Sequence, residues 1–161
     1  MNAPLTHPFD TEAAYRAAID VVLTAARSEI RIFDRDLLQM ALGKRERVAL
    51  LADFLAGGRD RRLCIVLHDI APLERFLPRL IELMRLRGHM IETRKTPDNL
   101  RNLTDCWLLA DGAHGAIRFH VDHPRGKLVT DLAPEIEPWW RRFDDLWQEC
   151  EMCTPGATTG L

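Results

Sequence analysis

Three residues that could bind or react with a phosphate group alternate with apolar residues in one short segment. Arg118, His120 and Asp122 share one face of a predicted strand, with about 7 Å between successive Cα atoms. A cation, an imidazole and a carboxylate in such a row could bind an anion and transfer a proton. The same pattern also fits a solvent-exposed face with cross-strand ion pairs. His123 lies three residues after His120, which predicts opposite faces and argues against a zinc-binding pair.

Further candidates follow the predicted strands, because ligands of open α/β sheets usually bind beyond the carboxyl ends of the strands. The adjacent pair His68 and Asp69 is the most suggestive, since a carboxylate can orient an imidazole. Neighbouring residues on an extended chain point apart, however, which favours a plain polar strand end over a catalytic pair. Asp34 and Asp111 also end predicted strands. The candidate anion-binding residues are Arg35, Arg94, Arg118 and His120.

The four cysteines give only weak chemical signals. Cys150 and Cys153 form one Cys-x-x-Cys without a second such pair, which is a poor indicator of a metal or redox site. Cys64 and Cys106 lie in apolar segments, where cysteine packs as a small hydrophobic residue. We therefore predict no metal and no cofactor, and a metal-binding module built from Cys150, Cys153 and histidines is the open alternative.

The elements that would position these residues alternate along the chain. The apolar spacing predicts helices over about 11–27, 48–55, 72–87 and 136–147, and strands over about 30–33, 63–67, 90–93, 106–110 and 117–122. This order predicts an α/β fold, with a mixed, largely parallel sheet and helices on both faces. The predicted organisation is an N-terminal tail over 1–10, one domain over 11–153 and a flexible C-terminal tail over 154–161.

Composition and charge limit the class of function. The 161 residues include 22 Lys+Arg and 24 Asp+Glu, and 47% are apolar, as in ordinary globular domains. No apolar run approaches the roughly 18 residues needed to span a bilayer, and the first residues lack a secretory signal. We therefore expect a cytoplasmic protein without membrane insertion. A net charge of −2 argues against a basic nucleic-acid-binding surface, so nucleic acid is not expected as a partner.

The order of elements and several short segments resemble one half of the phospholipase D superfamily. The matching segments are 17–33, 55–67, 106–112 and 143–147. The resemblance implies a phospholipase D-like α-β-α sandwich. Active members of that family bring two motifs together, either in tandem halves or in two copies of one half. Because this chain has the length of one half, the resemblance implies a homodimer.

The catalytic motif of that family is His-x-Lys-x-x-x-x-Asp, in which the His attacks phosphorus, the Lys binds phosphate oxygens and the Asp supports the His. Aligning the motif on Asp111 places Thr104 at the His and Cys106 at the Lys. A threonine hydroxyl without a partnered base is a poor nucleophile, and a cysteine in an apolar strand supplies no cation. The motif is therefore degenerate. The resemblance then implies a non-catalytic binding or accessory module, with a phosphate-containing ligand or a protein as partner.

One alternative function keeps the chemistry of the family. A second match to the motif spacing runs from His123 to Asp131, although its acid stands one position late. A phosphodiesterase or nuclease could instead have rebuilt its site around His120 and His123, with nearby arginine or lysine cations. This hypothesis requires both histidines to point into one crevice.

Overall fold

A single open sheet of eight strands is the centre of the fold in the computed structural model, which describes residues 3–156. The strands are β1 (Leu5–Phe9), β2 (Glu29–Asp34), β3 (Arg62–Leu67), β4 (Ile91–Lys95), β5 (Cys106–Ala110), β6 (His114–His120), β7 (His123–Thr130) and β8 (Glu151–Cys153). The helices are α1 (Glu12–Ala25), α2 (Arg45–Ala56), α3 (Ala71–Phe76), α4 (Pro78–Leu86) and α5 (Ala133–Glu149), with a 3-10 turn at Asp98–Leu100. The strand order is β1-β7-β6-β5-β2-β3-β4-β8.

The sheet is mixed, and its parallel part is confined to β2, β3 and β4. Helical crossovers join these three strands, and such connections are what parallel neighbours require. Residues 106–130 instead form a meander in which β5, β6 and β7 run antiparallel, because only short turns join them. The predicted mixed α/β sheet with helices on both faces is confirmed, with a smaller parallel share than the sequence indicated.

Two apolar cores cover the two faces of the sheet. Helices α1 to α4 pack on one face, where Ile19 and Leu80 meet strand residues such as Ile32. Helix α5 alone covers the other face and packs Phe143 against Trp107 at a ring-centroid distance of 6.0 Å. Because one helix cannot cover eight strands, part of this second face stays open.

Several elements differ from those that the sequence predicted. Residues 5–9, expected in a tail, form β1, because their backbone pairs with β7 from Phe9↔Gly126 to Leu5↔Thr130. The third predicted helix is broken at Leu77, since Pro78 starts a new helix there. Residues 151–153 add a short strand beside β4, and residues 157–161 of the predicted C-terminal tail lie outside the described residues. None of the described helices is long and apolar enough to cross a membrane.

Candidate functional site

A row of polar side chains crosses three adjacent strands beneath helix α1, and we call it the buried polar row. Cys106 on β5 pairs directly with Arg118 on β6, and Asp34 ends the neighbouring strand β2. All three are nearly inaccessible, with Asp34, Cys106 and Arg118 each 1% exposed. Tyr15 of α1, also fully buried, lies against them, with its ring centroid 5.0 Å from the Arg118 guanidinium. The position of the predicted motif lysine is thus part of a closed cluster.

The cation of Arg118 is fully engaged within this row. Its guanidinium binds both carboxylate oxygens of Glu12 and also donates to the backbone carbonyls of His120 and Val121, at 3.2 and 2.9 Å. The hydrogen bond from Arg118 holds the pKa of the Glu12 carboxyl below its ordinary value. Arg118, predicted to bind an external anion, therefore already binds an internal one. Glu12 is the first residue of α1, and nothing in the local sequence indicates its pairing with Arg118.

The other members of the row favour their neutral forms. Burial raises the pKa of the Asp34 carboxyl, although its Oδ2 accepts a hydrogen bond of 2.7 Å from the Leu37 backbone. Burial, followed by the neighbouring Asp34, raises the pKa of the Cys106 thiol. Burial, Cys106 and Asp34 likewise raise the pKa of the Tyr15 hydroxyl well above its ordinary value. The Cys106 thiol approaches both groups, yet the Tyr15 hydroxyl and Asp34 Oδ1 have no hydrogen-bond partner among the described residues.

The remaining motif positions lie apart from the buried polar row. Thr104 is exposed just before β5, and its carbonyl accepts a hydrogen bond of 2.7 Å from Val121. Asp111 stands at the opposite end of β5, about 17 Å from Cys106 at the usual rise per residue. Its carboxylate accepts hydrogen bonds from the backbone N–H groups of Arg27, Ser28 and Glu29 and from the Ser28 hydroxyl, at 2.8 to 3.0 Å. Asp111 therefore fixes the turn into β2.

Replacing Asp111 should destabilise the protein in a pH-dependent way. Partial burial would raise the pKa of Asp111, but the hydrogen bonds from Glu29, Ser28 and Arg27 outweigh it and lower the pKa. The carboxylate therefore stabilises the fold above the unfolded-state pKa near 3.8, and this contribution is lost as the pH falls through the lower folded-state value. Asp111→Asn retains a residue type that tolerates the observed φ of 58°.

We expect urea unfolding at pH 7 to show a loss of about 1–3 kcal/mol for Asp111→Asn. The difference from the unmodified protein should begin to shrink as the pH falls below the unfolded-state pKa near 3.8, and should vanish once the pH is below the lower folded-state pKa, where the carboxyl is protonated in both states. Asp131→Asn is the control, since Asp131 also has a positive φ, of 52°, but is exposed. An equal loss at both positions, or a loss independent of pH, would contradict the assigned role.

His120 and His123 face each other, which corrects the prediction that they lie on opposite faces. They form the last pair of the β6–β7 hairpin, and their ring centroids are 5.4 Å apart. Residues at this spacing point to opposite faces on one continuous strand, but here the chain reverses at Val121 and Asp122. The Nδ1 of His120 accepts a hydrogen bond of 3.1 Å from the Asp122 backbone. The two rings therefore lie together near the surface, at the end of the hairpin.

The side chains of His68 and Asp69 bind different groups and share no hydrogen bond or ion pair among the described residues. His68 is 7% exposed, and its Nε2 donates to the Leu103 carbonyl at 2.9 Å while Nδ1 accepts from the Thr96 hydroxyl at 2.7 Å. Both ring nitrogens are thus used. Asp69 forms a separate ion pair with Arg101 at 2.8 Å. Arg35, another predicted anion-binding residue, is half-exposed and lies 3.5 Å from the Asp36 carboxylate.

Arg94 lies on the opposite face of the sheet, beside a second candidate site that we call the β4 groove. This groove has a volume of about 1130 Å³ and runs between α4, α5 and the first half of β4. The Arg94 guanidinium stacks 4.1 Å from the Trp147 ring and pairs with Glu92 at 2.7 Å. Cys64 lies at the floor of the groove. Cys150 is buried in the core beneath α5. The Cys153 thiol contacts the Thr93 carbonyl. Within residues 3–156, no three potential ligand side chains are grouped to hold a metal ion.

Solved structures with the same fold come from several kinds of protein. The chain is similar to TrmBL2, described as an archaeal chromatin protein with a novel mode of DNA binding, at 14% identity and a TM-score of 0.66. The match covers 92% of this chain but only 54% of TrmBL2. Nuc from Salmonella typhimurium, a phospholipase D family member, matches at 12% identity and a TM-score of 0.59, over 94% of this chain and 99% of Nuc.

Phosphatidylserine synthase of Haemophilus influenzae Rd KW20 is also similar, at 12% identity and a TM-score of 0.61, over 96% of this chain and 41% of the synthase. The chain thus spans about half or less of TrmBL2 and of the synthase, and nearly all of Nuc. The predicted phospholipase D-like fold is confirmed. The comparison with curated protein sequences gives no match.

One prediction about partners is wrong. The net charge of −2 led us to exclude nucleic acid, but TrmBL2, which shares the fold, is described by its DNA binding. The net charge sums over the whole surface and therefore cannot exclude a local DNA-binding face.

The similarity in sequence is more specific than the similarity in fold. Residues 10–155 match one family over nearly all of the described chain. The chain belongs to the family described as Domain of unknown function (DUF7931).

Proposed function

We propose that the chain is a non-catalytic phospholipase D-like domain that acts as a binding or accessory module. The observation that carries this proposal is the state of the buried polar row. Its only formal cation, Arg118, is neutralised by Glu12, and its thiol, Cys106, is buried with a raised pKa. A nucleophile must be deprotonated and reachable, and a phosphate-binding cation must be free.

The position of Thr104 supports the same conclusion. In the aligned motif this residue replaces the nucleophilic histidine, and its hydroxyl is on the exposed segment before β5. No histidine side chain contacts Thr104 in the hydrogen bonds and ion pairs of residues 3–156. An unassisted threonine hydroxyl stays protonated at neutral pH and attacks phosphorus slowly. We infer that the degenerate motif does not support the reaction of the phospholipase D family.

A phosphodiesterase assay tests this proposal. With bis(p-nitrophenyl) phosphate, the purified protein and its His120→Ala and Cys106→Ala variants should all release nitrophenol at the rate of buffer alone. A phosphodiesterase of known activity is the positive control. Turnover by the unmodified protein that His120→Ala reduces by a factor of about 100 or more would overturn the proposal, since general acid–base groups contribute effects of this size.

That result would support the second candidate, a phosphoryl-transfer enzyme rebuilt around His120 and His123. The observation favouring it is the close approach of the two rings across the hairpin, which the sequence did not predict. One ring could act as base and the other as acid. Arg118, the nearest buried cation, binds Glu12 and cannot serve this site without breaking that pair.

The partner of the module is proposed to be a phosphate-containing ligand or a protein. The fold shared with TrmBL2 makes a DNA duplex the first polymeric phosphate to test. Fluorescence anisotropy with a labelled duplex at low and moderate salt would identify such a ligand by binding that weakens as salt increases. The absence of binding would favour a protein partner.

We also propose a homodimer that acts in the cytoplasm. Because the chain spans nearly all of Nuc but half of TrmBL2, its length fits one half of a two-part assembly. Light scattering after size exclusion should then give about twice the chain mass of 18.5 kDa.

A further inference from the structure

The β4 groove is an open, charged part of a sheet face that α/β proteins normally cover with a helix. Helix α5 packs over Trp107 and Phe33 but leaves the first halves of β2, β3 and β4 open. Polar or charged side chains replace apolar ones there. Arg31, Cys64 and Glu92 are side by side in the register of the three parallel strands. A sheet face of this composition is suited to a polar ligand.

The acids of the groove already have arginine partners. Glu29 and Asp144 both pair with Arg31, which also stacks 3.9 Å from the Trp140 ring. Glu92 pairs with Arg94 at 2.7 Å. These acids are therefore not free to neutralise a further cation, and they do not bind a cationic ligand without breaking a pair.

Among the described residues that line the groove, Arg62 is the arginine without an acidic partner. Among the described residues, its guanidinium donates only to the His89 carbonyl, at 2.9 Å. The His89 side chain is exposed and also lines the groove, and an imidazole ring supplies a further N–H donor. A planar guanidinium with unused N–H groups binds a carboxylate through two parallel hydrogen bonds. This end of the groove therefore favours an anion.

The rest of the groove is apolar and adaptable. Its apolar lining includes Ile81, Met84 and Met90, which belong to the core on the α4 side of the sheet, and Trp147 from α5 on the other side, so the groove passes around the edge of β4. Met84 and Met90 are nearly buried, at 8% and 4% exposed. Met152 on β8 is 67% exposed, which is unusual for a large apolar side chain. Methionine side chains adjust to ligands of irregular shape. The wall therefore provides an apolar surface next to the anion-binding end.

We propose that the β4 groove binds an organic carboxylate with an apolar body, such as a medium-chain alkyl carboxylate. The carboxylate binds Arg62 and His89, and the alkyl chain lies along the exposed Met152 and along Trp147. A single negative charge fits better than a phosphate monoester with nearly two, because the other arginines of the groove are already paired with acids and the charge of Arg62 balances one carboxylate. None of the residues of the buried polar row lines the groove, so the proposal does not depend on whether that row is inert.

The rate at which the Cys64 thiol is alkylated reports directly whether a ligand occupies the β4 groove. This thiol is half-buried and lines the groove, and burial raises its pKa to about 11. Alkylation by iodoacetamide at pH 9 is therefore slow but measurable, and peptide mass spectrometry separates Cys64 from the other cysteines. A carboxylate bound above the floor should slow the alkylation of Cys64 and leave the alkylation of unfolded protein unchanged.

The test compares ligands that differ in one property at a time. Isothermal titration calorimetry should show binding of decanoate, and decanoate should slow Cys64 alkylation at least threefold. Acetate lacks the apolar body and 1-decanol lacks the charge, so both should bind at least tenfold more weakly. Decyl phosphate should also bind more weakly than decanoate. Equal or tighter binding of decyl phosphate or 1-decanol would overturn the proposed ligand class.

Matched variants locate the site. Arg62→Gln should weaken decanoate binding about tenfold, whereas Arg59→Gln, an equal loss of charge on the preceding exposed turn, should not. Met152→Ala should weaken decanoate binding but not alter the folded state, because Met152 is exposed. No decanoate binding at millimolar concentration, or equal binding by Arg62→Gln and the unmodified protein, would overturn the proposal. A groove closed by a second copy of the chain would give the first of these results together with a dimer mass.

Discussion

Arg118→Met is expected to lower the free energy of unfolding by about 3 kcal/mol or more. The substitution leaves the carbonyls of His120 and Val121 without their donor and removes the partner of Glu12. Arg118 is 1% exposed, so water cannot fully replace its hydrogen bonds. Methionine has a similar length, which limits the effect of lost volume. Urea unfolding followed by circular dichroism measures the change.

Two further variants separate the ion pair from the packing. Glu12→Gln leaves a buried guanidinium without its counter-charge but keeps one acceptor oxygen, so we expect a smaller loss of about 1–2 kcal/mol. Arg125→Met removes an exposed arginine on β7 and should change stability by less than about 0.5 kcal/mol. If Arg118→Met were as harmless as Arg125→Met, the buried polar row would not hold β6 against α1 as we infer.

Gly126→Ala is expected to cost about 3 kcal/mol or more, or to prevent folding. A Cβ atom at this position would lie 1.9 Å from the Ile117 carbonyl oxygen and 2.6 Å from the Phe9 ring. The first clash is with backbone, so a side-chain rotation cannot relieve it. Gly126 pairs with Arg118 on one side and Phe9 on the other, and the strain would therefore affect β1, β6 and β7 together.

Gly58→Ala is the matched control for this substitution. Its Cβ would meet only the flexible side chain of Arg61, at 3.5 Å or more. We expect a change below about 1 kcal/mol, and thermal unfolding of the two variants side by side tests the difference. A similar melting temperature for Gly126→Ala and the unmodified protein would show that β6 and β7 can separate at this point without cost.

The central strands could be predicted from the sequence because each is a short run of consecutive apolar residues, which is itself the signal of a buried strand. The run Leu63 to Leu67 is apolar throughout, as a strand buried on both faces requires, and it forms β3. Ala110 and the residues before it form β5 for the same reason. The Trp139, Phe143 and Trp147 spacing likewise predicts α5. The fold class follows from these elements and their order.

Elements that depend on distant partners were missed. Residues 5–9 include Pro8 and show no alternation of apolar and polar side chains. They form a strand because their backbone pairs with the edge of β7. The hairpin that brings His120 to His123 depends on a reversal at Val121 and Asp122, neither of which is a glycine or proline. The site was predicted least well. Glu12 meets Arg118 across 106 residues, and no local pattern in the sequence indicates such a pair.

The two outermost strands, β1 and β8, are the first and the last along the described chain. With seven steps of about 4.8 Å between them, they stand roughly 34 Å apart. Each protects a longer neighbour from pairing with other molecules, and Pro8 in β1 lacks the N–H that another strand would need. Truncation before residue 10 would therefore expose the eight-residue edge of β7 and promote edge-to-edge aggregation. A fusion partner at either end would meet a different edge of the sheet.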